Sequence, residues 1–590
     1  MSYSIQYFMW SYQHLYRISA NSAAGFLFRL LDERLQPEVF LVGMLMRNRS
    51  DRYPLCVEPE EGEIPPSLFH DLKERMERLE AKDFESKIIH SHPIAEENRG
   101  VRVFRNAYAN AVQETLNEAF SADDLRFFAS FPQIVEDFLV TVVLQVQRSA
   151  YDSHYALKQN ICQERFRVPV SLLNATVETF LRECSRALKV DVPGVALDVV
   201  GRKTEELVRQ AGRLLMYNLE ARIGDFEGQR TVFDALCNVA SLRYEGAEGV
   251  GRLLISKPDH PSIEVAVRFG SPVGYRDARA TRKLLELATD DLALLGTTLS
   301  AYGLGRMENR YDESREDLFE VAFLRHHTWE LQHAGHTLMH VRYGQPMLKA
   351  EPLSEDRFKM DVQRVLGMED VEVNLLWEIT AEARCQSHGT LLIISSHAEE
   401  EANRLAGQST GIEPVILDRQ LVASLTAIDG ALLLDPSGTC YSIGVILDGL
   451  ATAGGTPARG ARYNSAVRYV HTATQQFGHR CIAVVVSEDA TVDIIPTLRP
   501  PIHRSQIEAA LNILRELVGD SEPSRYRFSR ATAWLDKHEF YLNKATCEEA
   551  NLLISHIEAH FDQRDPHRVK IIRRLYEPHP GLDDSYFFDE

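Results

Sequence analysis

Apolar residues change period several times along this chain, and the changes outline its elements. The run Glu38 to Leu45, EVFLVGML, is short and apolar and reads as a strand, and Ser67 to Leu79 reads as a helix. Between residues 104 and 160 apolar positions recur at three and four, which predicts helices. Helices at 171–190 and 203–223 precede strand-like runs at Gly251–Ile255, Ile263–Phe269, Leu318–Leu324 and Leu338–Tyr343. A polar, Pro-containing stretch from Pro346 to Asp356 reads as a linker. Beyond it come a helix over 357–385, a strand at Gly389–Ser395 and a helix at Ala398–Leu405. A helix at 461–476 then leads into a strand at Cys481–Ser487. Helices at Arg504–Val518 and Thr546–Phe561 close the chain.

Strands alternating with helices predict an α/β class. The expected architecture is a C-terminal mixed-sheet domain, preceded by α+β regions and followed by a helical tail. The expected segments are 1–165, 166–350, 357–500 and 501–590. The second is expected to act as a sensor, because it precedes the segment that carries the readable chemistry.

Composition narrows the class. At about 150 residues per domain, 590 residues predict three to four domains, and 44% hydrophobic with 25% charged residues is ordinary for a globular protein. A net charge of −20 argues against broad binding to nucleic acid or to an anionic membrane. The eight cysteines are scattered without a C-x-x-C pair, which predicts reduced thiols. The first residues lack a basic segment and a cleavage site, and no apolar run approaches the roughly 18 residues of a membrane span. The expectation is a soluble, cytoplasmic protein.

The candidate chemistry lies between residues 426 and 489. Asp429 precedes Gly430, Ala431 and the apolar run Leu432–Leu434, so a carboxylate stands at a strand start beside two small residues. Such a carboxylate can reach a divalent metal while the backbone approaches a ligand closely. Taken alone, Asp-Gly also fits a hairpin turn. Gly454, Gly455 and Gly460 lead to a helix starting near Ala461, whose free N–H groups and dipole favour anions. Arg462 in its first turn can hold phosphate bidentately, and Arg459 is a second candidate. Glu488 follows the apolar run Ile482–Val486 and could complete a two-carboxylate metal site with Asp429. Each feature has an ordinary reading, as a turn, a Gly-rich connection or a solvated acid. Their ordered combination is what nucleotidyl transfer requires.

That set resembles the diadenylate cyclase domain, shared with the nucleotide-binding domain of DNA-integrity scanning proteins. The resemblance covers about residues 370–500, including HGTLLIIS (His388–Ser395), DGALLLD (Asp429–Asp435) and VVVSED, which ends at Asp489. It implies an enzyme that joins two ATP molecules, held on two facing domains, into cyclic di-AMP with release of pyrophosphate. On this chain it implies that Asp429 ligates Mg²⁺ or Mn²⁺ and helps activate the attacking hydroxyl, with Glu488 assisting. Gly430 and Ala431 would line the nucleotide. Gly460 and Arg462 would hold phosphates, with Ala461, Tyr463, Asn464 and Ser465 completing the pocket. One site per chain implies self-association. Where the family has Thr-Arg-His-Arg, this chain has Ala461-Arg462-Tyr463-Asn464, keeping one arginine of two. A second reading is therefore a catalytically silent nucleotide sensor that uses the same pocket.

Two further patterns carry metal-type residues. His90-Ser91-His92-Pro93, with Glu38 upstream, resembles JAB-type zinc metallopeptidases, but the position of the third ligand reads Gly100-Val101-Arg102. The missing third ligand favours a degenerate domain of that type, or a coincidence of pattern, over a working peptidase with a nucleotide-sensing tail. His333, His336 and His340 have a spacing that would suit a metal on a helix, although Gly335 and Thr337 do not favour one.

Overall fold

The run FLVTVVLQV has no polar face, so whatever element it forms must be covered on both sides. In the computed structural model it is a strand. The structure describes residues 8–47, 53–60, 64–87, 93–162, 166–195, 200–224, 232–243, 250–289, 291–308, 311–349, 353–367, 370–386, 389–450, 460–487, 492–564 and 573–588. The chain divides into two compact units, Met1–Lys349 and Ala350–Glu590. The class is α/β, with a helical tail.

The first unit opens with α1 (Gln13–Leu31), β1 (Glu38–Leu45), β2 (Leu55–Glu58), α2 (Leu72–Lys82) and α3 (Pro93–Ala119). Then follow β3 (Leu125–Ala129), β4 (Gln133–Val135), β5 (Phe138–Gln147), α4 (Arg148–Asp152), β6 (Ile161–Cys162) and β7 (Phe166–Arg167). Helices α5 (Leu172–Ala187) and α6 (Thr204–Ile223) complete this part. The sheet has the order β2-β1-β5-β3, with β4 also on β5, all antiparallel. Helices over all of 104–160 are therefore corrected: α3 ends at Ala119 and strands occupy most of 125–147. A central strand dry on both faces loses its period of two, and the β-branched Val140, Thr141, Val142 and Val143 favour extended backbone.

Alternation along β1 builds the layers. Val39 and Leu41 face a core shared with α1, α5 and α6 through Tyr16, Phe28, Phe180 and Leu207. Phe40 and Val42 face the other core, with Met76, Tyr108, Val112 and Leu116 of α2 and α3. The layers are helix, sheet, helix. Glu38 begins β1 and is exposed, while His90, Ser91 and His92 lie outside the described residues.

The same unit continues with α7 (Val232–Ala240), β8 (Gly251–Ile255), β9 (Ile263–Gly274), α8 (Ala278–Leu285), β10 (Ala293–Gly296) and β11 (Ser300–Met307). Strands β12 (Phe319–Arg325), β13 (Thr328–His333), β14 (His336–Arg342) and β15 (Gln345–Met347) finish it. Their order is β15-β14-β13-β12-β8-β10-β11-β9, with β8 and β10 parallel. Pro346, read above as linker, sits in edge strand β15, where a missing N–H costs no ladder bond. His333 and His336 face each other across the β13–β14 hairpin rather than sharing a helix face.

Helix α6 serves two cores. Leu207 and Val208 pack with the first sheet, whereas Ala211, Leu215, Met216, Leu219 and Ile223 pack with the second. A buried ion pair adds to this junction: Arg222 Nη1 donates to Glu316 Oε2 at 2.7 Å, with side chains 1% and 3% exposed. Glu316 also accepts from the backbone N–H groups of Lys158 (2.5 Å) and Gln159 (3.1 Å), and Arg222 donates to the carbonyls of Gln159 and Pro169.

The second unit holds α9 (Glu355–Leu366), α10 (Asp370–Cys385), β16 (Thr390–Ser395), α11 (Ala398–Arg404), β17 (Thr410–Ile416), α12 (Arg419–Leu425) and β18 (Ala431–Leu434). Strand β19 (Thr439–Val445), α13 (Ala461–Phe477), β20 (Cys481–Val486) and β21 (Val492–Ile495) follow. The expected helix over 357–385 is two helices, because α9 stops at Gly367, a left-handed cap with φ 69°. The mixed sheet has the order β17-β19-β18-β16-β20-β21, with β16 parallel to β18 and antiparallel to β20. Leu392, Ile394, Leu432 and Val484 face α9 and α10; Leu391, Ile393, Leu433 and Val485 face α11 and α13. The tail is α14 (Arg504–Gly519), α15 (Arg525–Lys537) and α16 (Lys544–Arg564), with a core of its own. No described helix is long and apolar enough to cross a membrane.

Removing one partner of the Arg222–Glu316 pair leaves a buried charge alone. Glu316→Gln should therefore destabilise the chain by about 3–5 kcal/mol, and adding Arg222→Met should recover the part due to the lone charge but not the part due to the Gln159 and Pro169 carbonyls that Arg222 satisfied. Denaturant unfolding of both variants checks the contrast.

Candidate functional site

Strand direction gathers the candidate residues. Because β16 and β18 are parallel, both begin at the same sheet edge, and β20, antiparallel to β16, ends there with Val486 opposite Thr390. Asp429 lies in the turn just before β18. Gly430 has φ +114°, and a Cβ at this position would stand 2.5 Å from the backbone carbon of Gly444. Only glycine meets both the dihedral and the close approach. Ala431 is buried as the first residue of β18.

Helix α13 enters the same edge. Its N-cap Gly460 has extended backbone and offers no side chain to the first turn, so the terminal N–H groups are not capped by it. Ala461 is exposed. Arg462 Nη2 donates to Asp429 Oδ1 at 3.1 Å. The Arg462 guanidinium lies over Gly389, where a Cβ would come within 2.7 Å of Nη1 and 3.1 Å of the Val486 carbonyl. Gly389 therefore makes room for the arginine between the start of β16 and the end of β20. Asp429 is 91% and Arg462 39% exposed in the side chain. An ion pair so open to water is worth about 0–1 kcal/mol. Each partner can exchange the other for a cation or a phosphate oxygen at little cost.

The remaining residues of the turn are placed less openly. Tyr463 is half-buried and packs on the core beneath α13. Asn464 Nδ2 donates back to the Gly460 carbonyl at 3.2 Å. Ser465 Oγ accepts from Arg468 Nη2 at 3.4 Å, and Arg468 Nε donates to the Asn464 carbonyl. Glu488, Gly454, Gly455 and Arg459 lie outside the described residues. Asp429, Gly430, Arg462 and the start of α13 are thus brought together.

A network beneath the helix, buried at Glu401 and Tyr469 and open to water at Asp448, ties α13 to its neighbours. Glu401 on α11 accepts from Tyr469 Oη on α13 at 2.7 Å and from Arg404 at 2.7 and 3.0 Å. Arg404 also grips Asp448, ahead of the helix, at 2.5 and 3.0 Å. Burial pushes the Glu401 carboxyl up, but the bonds from Arg404 and Tyr469 outweigh it and hold the group below its usual value of 4.5. Nothing in the local sequence announced these positions as a network, because Glu401, Asp448 and Tyr469 come from separate elements. At the sheet edge opposite the Asp429 turn, one donor atom each of His397, Glu400 and His479 lies within 4.8 Å of the others. The two imidazoles stack in parallel, 4.0 Å apart at 8°, so their in-plane lone pairs do not converge on a common ion.

A second concavity belongs to the first unit. An open cavity of about 1420 Å³ lies among β3, the length of α5, residues 151–160 and residues 167–171, with His336 of β14 at its wall. Its walls come from residues far apart in sequence, which is why no sequence pattern marked it.

The depressed Glu401 carboxyl adds stability that is fully present above the unfolded value near 4.5 and is lost as pH falls through the lower folded value. Acid unfolding of Glu401→Gln should therefore lose that part of the wild-type pH dependence, and its melting temperature at neutral pH should be lower. Thermal melts across pH 3 to 7, at values of about one unit's spacing, check this.

Comparison with known proteins fits the two units differently. Residues 9–216 match the family described as probable sensor domain DACNG, and residues 230–335 match probable sensor domain DACNH. Such families are associated with diadenylate cyclases. No curated protein matches the chain. Among solved structures, a double mutant of DacA from Staphylococcus aureus is similar at 13% identity, covering 21% of this chain and 83% of that one, with a TM-score of 0.18. A hypothetical membrane spanning protein from Bacillus cereus is similar at 18% identity, covering 23% and 64%, also with a TM-score of 0.18. Scores of that size do not establish a shared fold. The chain carries two consecutive segments of sensor-domain type ahead of the mixed sheet that holds Asp429 and Arg462.

Proposed function

We propose that the chain is a multidomain diadenylate cyclase whose two sensor segments govern a nucleotide site at the edge shared by β16, β18 and β20. The observation that carries this reading is the junction of Asp429, Gly430 and Arg462 at the start of α13. The triphosphate of ATP would lie against the first turn of that helix, where N–H groups and the dipole favour anions. Arg462 would exchange its weak contact with Asp429 for phosphate oxygens. Gly430 and Ala431 would line the nucleotide, with Gly460, Ala461, Tyr463, Asn464 and Ser465 bordering the phosphates.

An exposed carboxylate facing a phosphate site suits Mg²⁺ or Mn²⁺, since such ions are commonly held by one or two carboxylates together with substrate phosphates. Asp429 would hold the ion, with Glu488 as the second carboxylate. When bound, the ion supplies charge neutralisation on the phosphates. In the reaction, the ribose 3′-oxygen of one ATP bonds to the α-phosphorus of another. The bond from that phosphorus to pyrophosphate breaks, and Asp429 helps draw the hydroxyl proton toward solvent. The reciprocal step closes the ring and releases a second pyrophosphate. With one such edge per chain, two chains must present their sites to each other.

A catalytically silent nucleotide sensor is the second reading. It is favoured by one observation: Asn464 turns back to its own helix, Ser465 is engaged by Arg468, and Arg462 is the one cation of the first turn.

Purified chain incubated with ATP and Mn²⁺ or Mg²⁺ should yield cyclic di-AMP, and Asp429→Asn should yield none. Arg462→Gln should slow product formation by about 10²- to 10³-fold, the usual effect of losing one transition-state donor. Gly430→Ala should abolish activity, because its Cβ would strike Gly444. ATP binding without product from the wild type would turn the reading to the silent sensor. Failure to bind ATP at all would overturn both.

A further inference from the structure

The cavity in the first unit has three chemically distinct parts. Its inner wall carries aromatic faces: Tyr151 is buried, and Tyr155 stacks on His336 at 4.5 Å and 17°. Its floor is polar, with Gln133 Nε2 donating to Ser185 Oγ at 2.9 Å. Its lining holds six Lys or Arg side chains against three Asp or Glu, in a chain whose net charge is −20. The lining acids are already matched, Asp152 by Arg126, Glu178 by Arg182 and Glu114 by Arg78. Lys158, Arg167 and Lys189 have no carboxylate partner among the described residues and leave the rim positive. Such a rim concentrates small anions even where each charge is solvated.

The decisive group is the Tyr155 hydroxyl. His333 is buried, with Nε2 3.1 Å from Tyr311 Oη and Nδ1 2.8 Å from Tyr155 Oη. Tyr311 Oη already accepts from the backbone N–H groups of Asp317 and Leu318, so its own proton turns to Nε2 of His333. Burial holds His333 below its ordinary value, in the neutral form, which then carries its single proton on Nδ1. That proton is donated to Tyr155 Oη. The Tyr155 hydroxyl proton is left with no acceptor among the described residues, on a side chain that lines the cavity.

We propose that this cavity binds a small organic anion bearing a planar ring, with Tyr155 donating to the anionic group and the cationic rim drawing it in. The proposal rests on the sensor reading of residues 9–216 and is independent of the cyclase reading. Occupancy would be felt by the second sensor segment through two existing ties. Tyr155 reaches His333 of β13, and the cavity segment holding Lys158 and Gln159 is bound to Glu316. A ligand that shifts this segment must disturb both.

The test uses the full chain and naphthyl phosphate as probe, with naphthol and inorganic phosphate as its separate halves, followed by isothermal titration calorimetry. Naphthyl phosphate should bind at least about tenfold more tightly than either half. Tyr155→Phe should weaken it by on the order of tenfold or more, as expected for a hydrogen bond to a charged group, and should lower the thermal melt, because it leaves the buried His333 Nδ1–H without its acceptor. Lys158→Gln combined with Arg167→Gln should weaken it and flatten its salt dependence. Asp429→Asn should leave it unchanged, which separates this outcome from that of the cyclase assay. No binding at millimolar probe, equal binding by inorganic phosphate, or full affinity in Tyr155→Phe would each overturn the proposal.

Discussion

The parallel pairing of β16 with β18 is the constraint on which the junction of Asp429 with Arg462 depends. Had the two strands run in opposite directions, Asp429 and the end of β20 would lie at opposite edges of the sheet. Parallel pairing needs a long crossover, and α11, β17 and α12 supply it between Ser395 and Ala431. The strands are buried on both faces, so their register is fixed by packing, and the turn holding Asp429 inherits that rigidity. Helix α13 is then set by a different kind of force. Tyr469, Glu401, Arg404 and Asp448 form a chain of charged and polar contacts that ties the helix to α11 and to the segment before it. A weak, solvent-open pair between Arg462 and Asp429 therefore sits on two strongly fixed supports.

The first unit uses the same contrast between fixed and free groups. Arg222 and Glu316 are bonded to each other and to backbone groups, and helix α6 belongs to two cores at once. Those features make the junction between the two sheets stiff. Against it stands the Tyr155 hydroxyl, whose hydrogen-bonding capacity is only half spent by His333. A part-buried donor on an open cavity wall is free to meet water or a ligand.

Much of the fold could be read from apolar spacing where one face of an element is wet. Helices α5, α6 and α13 fall close to their expected bounds for that reason, whereas β1, dry on both faces, was legible as a short apolar run. Apolar spacing misled in one strand that is dry on both faces. In Phe138–Val146 the alternation vanishes, and only the β-branched content hints at a strand. It misled again at Gly367, where a left-handed cap splits one apparent helix into two, and at Pro346, which an edge strand tolerates. Asp429, Gly430 and Arg462 were legible because small residues beside a carboxylate or before a helix carry local meaning. Gly389 was not, since its importance comes from the guanidinium packed over it.

The sequence by itself determined the α/β class, the strand before which Asp429 stands and the helix whose first turn carries Arg462, because each is a property of neighbouring residues. Tertiary structure decided that Asp429 and Arg462 meet, that Tyr469 and Glu401 hold the helix, and that a cavity opens beside Tyr155. Those relations join residues separated by 33, 68 and 178 positions for the pairs Asp429–Arg462, Glu401–Tyr469 and Tyr155–His333. Periodicity reports only which face of an element is apolar. Which faces are brought together follows from strand order and helix packing, and these are fixed only when the whole core closes.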